Sequence, residues 1–338
     1  YMDNIRIRRA QEPAIVALGG GTGLSTMLRG LKKYTENLTA IVTVADDGGG
    51  SGVLRDELDM PPPGDIRNCL QALANTEPTM ADLLNYRFTR GSLKGQSFGN
   101  LFLAALNGMS DSFDQAVMKM SEVLAITGRV LPVSNENIRL VAEFDDGTEV
   151  VGESVIAHHK AVHDRNITRV RLVPEHPAPL EASIRAIEEA DLIILGPGSL
   201  YTSILPNLLV DGVAEAVCGS DAVKLYIMNV MTQDGETEGY TASQHIKALQ
   251  KHAGRELFRL CLANSMELPE DVLARYRLWG AEPTVLDTEE IAKLGVELIT
   301  APVADVRDGL VRHHPHMLAR EIMRIFFEQS PTRIYRQK

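Results

Sequence analysis

Short apolar runs that end in glycines alternate along the chain with amphipathic stretches. The run AIVALGG at residues 14–20 predicts a buried strand, and STMLRGLKKY after it places apolar residues at helical spacing. A second apolar run, LTAIVTV at residues 38–44, ends in ADDGGGSG. Strand, tight loop, helix and strand in this order form a βαβ unit, which predicts a parallel sheet.

The periodicity changes in the middle of the chain. From DIRNCLQALAN to VLAITG the pattern is mostly helical, and then NIRLVAEFDDGTEVVGESVIAHH alternates, with DDG as a hairpin signal. NITRVRLVPEHPAP predicts one more strand before a proline-rich exit. We interpret residues 128–180 as a small antiparallel β insert.

After the insert the helix and strand pattern returns. IRAIEEADLIILGPGSLYTSILPNL predicts a helix, a strand, a glycine loop and a helix, and VKLYIMNVMTQDGE predicts a strand and a loop. SQHIKALQKHAG predicts a helix, LFRLCLANS and PTVLD predict short strands, and HMLAREIMRIFFEQ predicts a C-terminal amphipathic helix.

The predicted fold class is therefore α/β, a Rossmann-like, doubly wound and mostly parallel sheet with a small antiparallel insert. Residues 13–127 form the first part of the nucleotide-binding core in this interpretation. Residues 128–180 form the insert, and residues 181–330 form the second part of the core with the C-terminal helix.

The composition of the chain limits which partners and which cellular location we expect. The 338-residue chain carries a formal net charge of −11, which repels nucleic-acid backbones, so we expect no nucleic-acid partner. Its three cysteines are widely spaced, which favours reduced thiols over disulfides or zinc. No run reaches about 18 consecutive apolar residues, and the charged start lacks a signal-peptide core, so we expect a cytoplasmic chain without a membrane span.

The first glycine loop suits a phosphate group. Gly19, Gly20, Gly21 and Gly23 let the backbone approach a ligand closely, and the helix that follows offers unpaired N–H groups. The alternative is a tight strand-to-helix turn without a ligand. Leu24 stands where GxGxxG requires glycine, and GxxxxGK[ST] is absent, so the loop indicates neither NAD nor ATP by itself.

A second loop has the same design. Gly196, Gly198 and Ser199 follow the apolar run LIIL and precede a predicted helix. In an open α/β sheet, ligands bind at the carboxyl ends of the strands, where such loops meet. Two such loops facing one cleft can hold both halves of a diphosphate, which predicts a nucleotide ligand.

Two acids follow the second predicted strand. Asp46 or Asp47 can accept a ribose hydroxyl, or hold Mg²⁺ through water. Strand alternation points the two side chains in different directions, so we expect one of them to face the ligand. Turn formation and helix capping are the alternative.

The segments PPPGDIRNCL and QSFGNLFLAAL add four polar candidates. Asp65 either caps a helix or faces the site, and Arg67 and Asn68 lie in the first turn of that helix. A cation gains nothing from the dipole there, so Arg67 is expected to face an anion or a carboxylate. Asn100 is either a cap or a ligand contact.

Local catalytic signatures such as HExxH and GxSxG are absent, and the histidines have no metal-ligand spacing. We expect two groups of histidines to be solvated: His158, His159 and His163 in the insert, and His313, His314 and His316 near the C terminus.

Several of these motifs together resemble the YvcK-type branch of the CofD-like family. They are GGGTGLS, AIVTVADDGGGSG, PPPGDIRN, SFGNLFLAA, GPGSLYTSILPNLLV and NVMTQDGET. The resemblance implies a Rossmann-like core. Its CofD branch comprises 2-phospho-L-lactate transferases of coenzyme F420 synthesis, which use a guanosine diphosphate-linked substrate and Mg²⁺. Its YvcK branch comprises gluconeogenesis factors linked to cell shape and peptidoglycan supply and associated with UDP-N-acetylglucosamine.

PPPGDIRN stands where the transferases carry a motif resembling SPDxD, so the resemblance favours the YvcK branch. It implies that Tyr276 and Arg312 contact the UDP-sugar, the aromatic face stacking a base and the guanidinium binding phosphate. It also implies that Asp47 approaches a metal. It implies that Gly20, Gly21, Thr22 and Gly23 hold the diphosphate and that Gly198 and Ser199 line the same cleft.

Three functions remain open at this stage. The first is a regulatory protein that binds a UDP-sugar or another nucleotide diphosphate, without an established reaction and with a homodimer left open. The second is a Mg²⁺-dependent transferase of a nucleotide diphosphate-linked substrate. The third, a nicotinamide-dependent oxidoreductase, is suggested by fold class alone.

Overall fold

Twelve strands and fourteen helices make up the described part of the computed structural model, residues 12–330. The strands are β1 (Ile15–Gly19), β2 (Leu38–Val42), β3 (Arg129–Pro132), β4 (Arg139–Phe144), β5 (Glu149–Val151), β6 (Ile167–Val173), β7 (Leu192–Leu195), β8 (Val223–Ile227), β9 (Leu260–Asn264), β10 (Glu297–Ala301), β11 (Ala304–Arg307) and β12 (Leu310–His313).

The helices alternate with these strands, and a π-helical turn, Leu200–Ile204, precedes the ninth. They are α1 (Gly21–Leu31), α2 (Gly49–Leu58), α3 (Gly64–Leu73), α4 (Pro78–Asn85), α5 (Phe98–Gly108), α6 (Phe113–Val123), α7 (Glu153–His163), α8 (Glu181–Glu188), α9 (Leu205–Leu208), α10 (Val213–Gly219), α11 (Ala242–Ala253), α12 (Glu270–Leu278), α13 (Thr288–Lys293) and α14 (Pro315–Gln329).

Seven parallel strands form the central sheet in the order β10-β9-β8-β7-β1-β2-β3. Every residue of β1, β2 and β7 is buried, as expected for parallel strands that are covered on both faces. Helices flank the sheet, with α1 packed against α3 and α14. The predicted fold class, a Rossmann-like and mostly parallel α/β sheet with a small antiparallel sheet, is confirmed.

The small antiparallel sheet has the order β5-β4-β6 and lies within residues 128–180. The DDG signal correctly marks the turn between β4 and β5, where Gly147 has a φ of +82°. Strand β3, from the same segment, instead pairs with β2 in the central sheet.

The expected alternation beyond β5 was wrong, because residues 153–163 form helix α7. Gly152 ends the strand with a φ of +100°, and Glu153 in the first turn complements the helix dipole. The inward face of α7 includes Lys160, which is buried. Because a charged lysine occupies one of the buried positions, the inward face of α7 does not appear in the sequence as a stripe of apolar residues at helical spacing.

The prediction of a strand at PTVLD was also wrong. Pro283 and Val285 form only isolated bridges, to Met231 and Thr241. Proline has no N–H to donate to a ladder, which disfavours a full strand there. Strand β10 and the β11–β12 hairpin carry no strong apolar run, and the sequence did not reveal them.

Two groups of buried side chains hold the molecule together. The larger is continuous from the central sheet to the small sheet. The smaller, which we call the second core, consists of Val272, Tyr276, Ala281 and Val311 between α12 and the β11–β12 hairpin. The three cysteines are free thiols. In residues 12–330, no helix is long and apolar enough to cross a membrane.

Candidate functional site

A cleft of about 530 Å³ opens at the carboxyl ends of β1, β7 and β8. The loop between β1 and α1 and the loop after β7 line one side of it. Residues 229–234, which follow β8, also line the cleft, and residues of α12 and β12 line a second wall. This is the position at which open α/β sheets bind ligands.

The first glycine loop leads directly into the N-terminus of α1. Gly20 precedes the helix and provides no side-chain cap, and no acidic residue lies in the first turn. Gly21 has a φ of +64°, a conformation that a β-branched residue adopts only with strain. The N-terminus of this eleven-residue helix therefore offers N–H groups and a partial positive charge to the cleft.

The two glycine loops touch each other. A Cβ atom on Gly23 would lie 2.8 Å from the carbonyl oxygen of Pro197, and one on Gly198 would lie 3.4 Å from the carbonyl oxygen of Gly20. Only a residue without a side chain fits at position 23 while the Pro197 backbone stays in place. The sequence-based expectation that these two loops face one cleft agrees with this geometry.

Two amides after β8 fix the second loop. Asn229 accepts a hydrogen bond from the Gly198 N–H at 3.3 Å and donates one to the Gly198 carbonyl at 2.8 Å. The Ser199 hydroxyl donates to Gln233 Oε1 at 2.7 Å. Sequence reasoning missed both amides, although NVMTQDGE at the end of a predicted strand was a signal for them.

The second wall carries Tyr276, Trp279 and Arg312. Arg312 is exposed, and its Nη1 donates to the Val311 carbonyl at 3.0 Å. Within residues 12–330 Arg312 forms no ion pair with an acidic side chain, so its charge is available to an anion. Trp279 was missed by sequence reasoning, although it stands three residues after Tyr276 on the same helix.

About half of the binding-site residues predicted from the sequence line the cleft. Those that line it are Gly20, Gly21, Thr22, Gly23, Gly198, Ser199, Tyr276 and Arg312. Those outside its lining are Asp46, Asp47, Asp65, Arg67, Asn68, Asn100 and Gly196. Gly196 lies directly below the second loop, where its N–H donates to the Leu18 carbonyl.

Acidic side chains gather behind the first glycine loop. Asp65 is the nearest, because a Cβ on Gly20 would lie 2.5 Å from its Oδ2. Burial and then the charge of Asp46 raise the pKa of Asp65 to about 7, although the Gly21 N–H stabilises its charged form. Burial also raises the pKa of Asp46, against the Gly48 N–H that donates to its Oδ1 at 2.8 Å.

Two more acids extend this group toward α7 and the loop after β8. Burial raises the pKa of Glu236 to about 7, and its carboxylate accepts from the Thr202 hydroxyl at 2.6 Å and from the Tyr201 N–H at 3.3 Å. Burial, and then the charges of the neighbouring acids, raise the pKa of Glu153 well above its usual value. These acidic side chains lie close enough to repel one another when charged, and a bound cation would offset that repulsion.

No three His, Cys, Asp or Glu side chains between residues 12 and 330 are grouped so that they could hold a metal ion by themselves. Asp47 Oδ1 accepts from the Ser154 N–H at 2.9 Å, at the start of α7. Mg²⁺ commonly uses one or two carboxylates together with substrate phosphates. Asp46 and Asp65, whose charges destabilise each other beside the first glycine loop, fit that donor set.

Arg67 is held by amide side chains of α3 and α5. Its Nε donates to Asn100 Oδ1 at 3.1 Å and its Nη1 donates to Gln71 Oε1 at 2.8 Å. Asn100 in turn donates to the Ser51 hydroxyl at 3.4 Å. Burial lowers the pKa of Arg67. Asn68 is half-buried on the same helix.

The expectation that His313 is solvated was wrong. It is 8% exposed, and burial lowers its pKa to about 4, although its ring donates to the Met228 carbonyl. The pleat of β12 explains this difference, because successive side chains point to opposite faces and Arg312 takes the exposed one. His313 Nε2 is buried without a partner among the described residues.

Comparison with known proteins identifies the family of this chain. Residues 15–304 match the family described as 2-phospho-L-lactate transferase CofD. The chain belongs to the CofD family. Among its relatives, a protein of Thermoanaerobacterium thermosulfurigenes named "Putative gluconeogenesis factor" is 53% identical over 92% of this chain and 96% of its own.

A second relative of this CofD-family chain is the "Gluconeogenesis factor" of Bacillus subtilis strain 168. It is 49% identical over 91% of this chain and 96% of its own. A crystal structure of a UPF0052 family member from Bacillus halodurans has the same fold, with a TM-score of 0.89 and 46% identity. That match covers 91% of this chain and 99% of the other.

Proposed function

We propose that the chain binds a nucleotide sugar of the UDP-N-acetylglucosamine type and acts as a regulatory protein linked to gluconeogenic growth, cell shape and cell-wall precursor supply. The names of its relatives support the metabolic part of this proposal. The observation that carries the binding part is the contact of the two glycine loops in a single cleft that Arg312 also lines.

Each part of the cleft matches one part of such a ligand. The N-terminus of α1 and the Gly198–Ser199 backbone offer N–H groups for a diphosphate. Arg312 is the one arginine or lysine among the described residues lining the cleft, and its guanidinium can bind phosphate oxygens in pairs. Tyr276 near the end of α12 and Trp279 directly after it place aromatic rings in the cleft lining for the nucleoside.

A Mg²⁺-dependent transferase is the second candidate, and the acids behind the first loop favour it. Asp46 and Asp65 are the residues that would hold the ion, which when bound would neutralise the charge of the diphosphate. Both carboxylates resist ionisation without a cation, because burial raises their pKa values. Asp47 remains a further candidate ligand.

Calorimetric titration with UDP-N-acetylglucosamine, with Mg²⁺ and with a chelator, tests both candidates. We expect saturable binding that is modestly tighter with Mg²⁺, and no new phosphodiester in the ³¹P NMR spectrum of the incubated mixture. Accumulation of a phosphodiester would favour the transferase, and absence of binding under both conditions would refute the proposal.

Two variants show whether binding takes place in this cleft. Arg312→Ala should weaken the affinity for UDP-N-acetylglucosamine by roughly ten- to hundredfold, the scale of one charge-assisted hydrogen bond. Gly23→Ala should abolish binding, since its methyl group collides with the Pro197 backbone. The matched controls Arg90→Ala and Gly108→Ala, at exposed positions outside the cleft, should bind as the wild type does. Wild-type affinity in Arg312→Ala and Gly23→Ala would move the site elsewhere.

A further inference from the structure

Trp279 is the only tryptophan in the chain, and it lines the cleft. It caps the C-terminus of α12 and remains 51% exposed. The edge of the Tyr276 ring contacts it at 5.3 Å between centroids and an interplanar angle of 65°. The contact supports the indole from one side and leaves half of its surface free.

Tyr276 has no comparable free surface. It is 7% exposed, and its ring packs in the second core against Val272, Ala281 and Val311. Its hydroxyl accepts a hydrogen bond from the Val311 N–H at 2.8 Å. That bond anchors β12 at the residue immediately before Arg312.

We propose that Trp279 is the surface on which the nucleobase stacks, and that Tyr276 is a positioning residue that holds Arg312 through Val311. This inference rests on the proposed binding of a nucleoside diphosphate sugar in the cleft. It divides the ligand between the two walls: the base lies on the indole, and the diphosphate lies between the glycine loops and Arg312.

The chemistry of the indole favours this assignment. Stacking on an aromatic face tolerates any base and is typically worth a roughly five- to 150-fold change in affinity when the ring is removed. An indole that is half exposed in the lining of the cleft gains apolar contact when a base covers it. Tyr276 also lines the cleft, but at 7% exposure it offers a base little surface.

The single tryptophan makes the test direct, because fluorescence excited at the red edge of the indole absorption, where the eight tyrosines absorb little, reports on Trp279 alone. UDP, UMP and inorganic pyrophosphate are titrated separately, and calorimetry measures binding in parallel. We expect UDP and UMP to change the fluorescence in a saturable way, and pyrophosphate to bind without that change. If UDP binds by calorimetry and the fluorescence stays constant, the stacking assignment is wrong while the proposed function stands. If neither UDP nor UDP-N-acetylglucosamine binds, the proposed function itself fails.

Variants at position 279 give an independent readout. Trp279→Ala should weaken UDP binding roughly five- to 150-fold and leave pyrophosphate binding unchanged, whereas Trp279→Phe should retain most of the UDP affinity. Equal losses for UDP and pyrophosphate in Trp279→Ala would overturn the assignment, since a base contact affects UDP alone.

Tyr276→Phe separates positioning from stacking, because it keeps the ring and removes the acceptor of the Val311 N–H. We expect weaker binding of both UDP and pyrophosphate, an unchanged fluorescence change at saturation, and no additional loss when Arg312→Ala is combined with it. The exposed Tyr86→Phe is the control, and thermal melts are recorded for every variant. Wild-type affinity in Tyr276→Phe, or losses that add in the double variant, would refute the positioning role.

Discussion

Arg312 and His313 are neighbours in sequence with opposite environments. The four-residue strand β12 exposes the guanidinium to the cleft and buries the imidazole, whose pKa burial lowers to about 4. The resemblance to a family selected Arg312 from the sequence, but nothing local revealed the strand. A short hairpin strand carries too few alternating positions to be recognised, so the burial of His313 was unpredictable.

Glu236 makes the stability of the protein depend on pH. Its pKa is raised from 4.5 to about 7 by burial, so between these values the folded protein holds a proton that the unfolded chain has released. The free energy of unfolding contributed by Glu236 therefore falls as the pH rises through that window. Glu236→Gln should reduce the difference in unfolding free energy between about pH 5 and about pH 8, measured by urea denaturation.

The comparison of wild type and Glu236→Gln removes the contributions of Asp65 and His313, because both proteins share them. Glu57→Gln, at an exposed position on α2, is the control and should keep the wild-type dependence. An identical pH dependence in Glu236→Gln and the wild type would show that folding does not raise the pKa of Glu236.

At the scale of the elements, the contact of α1 with α14 fixes the helix that starts at the first glycine loop. Gly30 lies in that contact, and a Cβ there would overlap the Pro315 carbonyl oxygen and lie 2.8 Å from the Ala319 Cβ. Gly30→Ala should therefore lower the free energy of unfolding by about 1–3 kcal/mol, the usual effect of overpacking.

Chemical denaturation measures this effect, and Gly108→Ala provides the comparison. A Cβ at Gly108 meets no atom within 4 Å, so the substitution should leave stability unchanged or raise it by up to about 1 kcal/mol. If both variants are as stable as the wild type, α14 moves freely enough to accept the methyl group.

The elements that were predicted correctly share one property. Strands β1, β2 and β7 are buried runs rich in apolar residues, and β8 ends in three buried residues; all four lead into glycines or polar loops, and that signal is local. Strand β10 mixes polar and half-buried positions, and α7 buries Lys160, so in both cases neighbouring segments determine the structure. The glycine loops were predictable for the same reason as the strands, because their signal is local. That Trp279 lines the cleft could not be predicted, because it depends on where α12 packs in the fold.

At the scale of the whole molecule, the cleft joins two separately packed parts. The glycine loops connect elements of the large continuous core, and the second wall includes Tyr276 and Val311 of the second core between α12 and the β11–β12 hairpin. A small core opens more readily than a large one. We therefore expect the amides of α12 and β12 to exchange hydrogen faster than those of β1 and β7.

Hydrogen exchange with mass spectrometry tests this expectation in the free and the ligand-bound protein. Saturating UDP-N-acetylglucosamine should slow exchange in α12 and β12 and leave β4 and β6 of the small sheet unchanged. Protection of the small sheet instead, or of neither region, would contradict a ligand held between these two walls.

Because of the position of β1 in the central sheet, its two partner strands are synthesised at very different times. One edge of β1 pairs with β2, which follows it closely, but the other pairs with β7, which begins at Leu192. At typical rates of translation, roughly 10 to 35 seconds separate the synthesis of Gly19 from that of Leu192. During that interval one edge of the apolar strand IVALG has no partner strand. An unpaired strand edge can pair with other chains. The same strand that presents the first glycine loop to the cleft therefore keeps one edge unpaired until β7 has been synthesised.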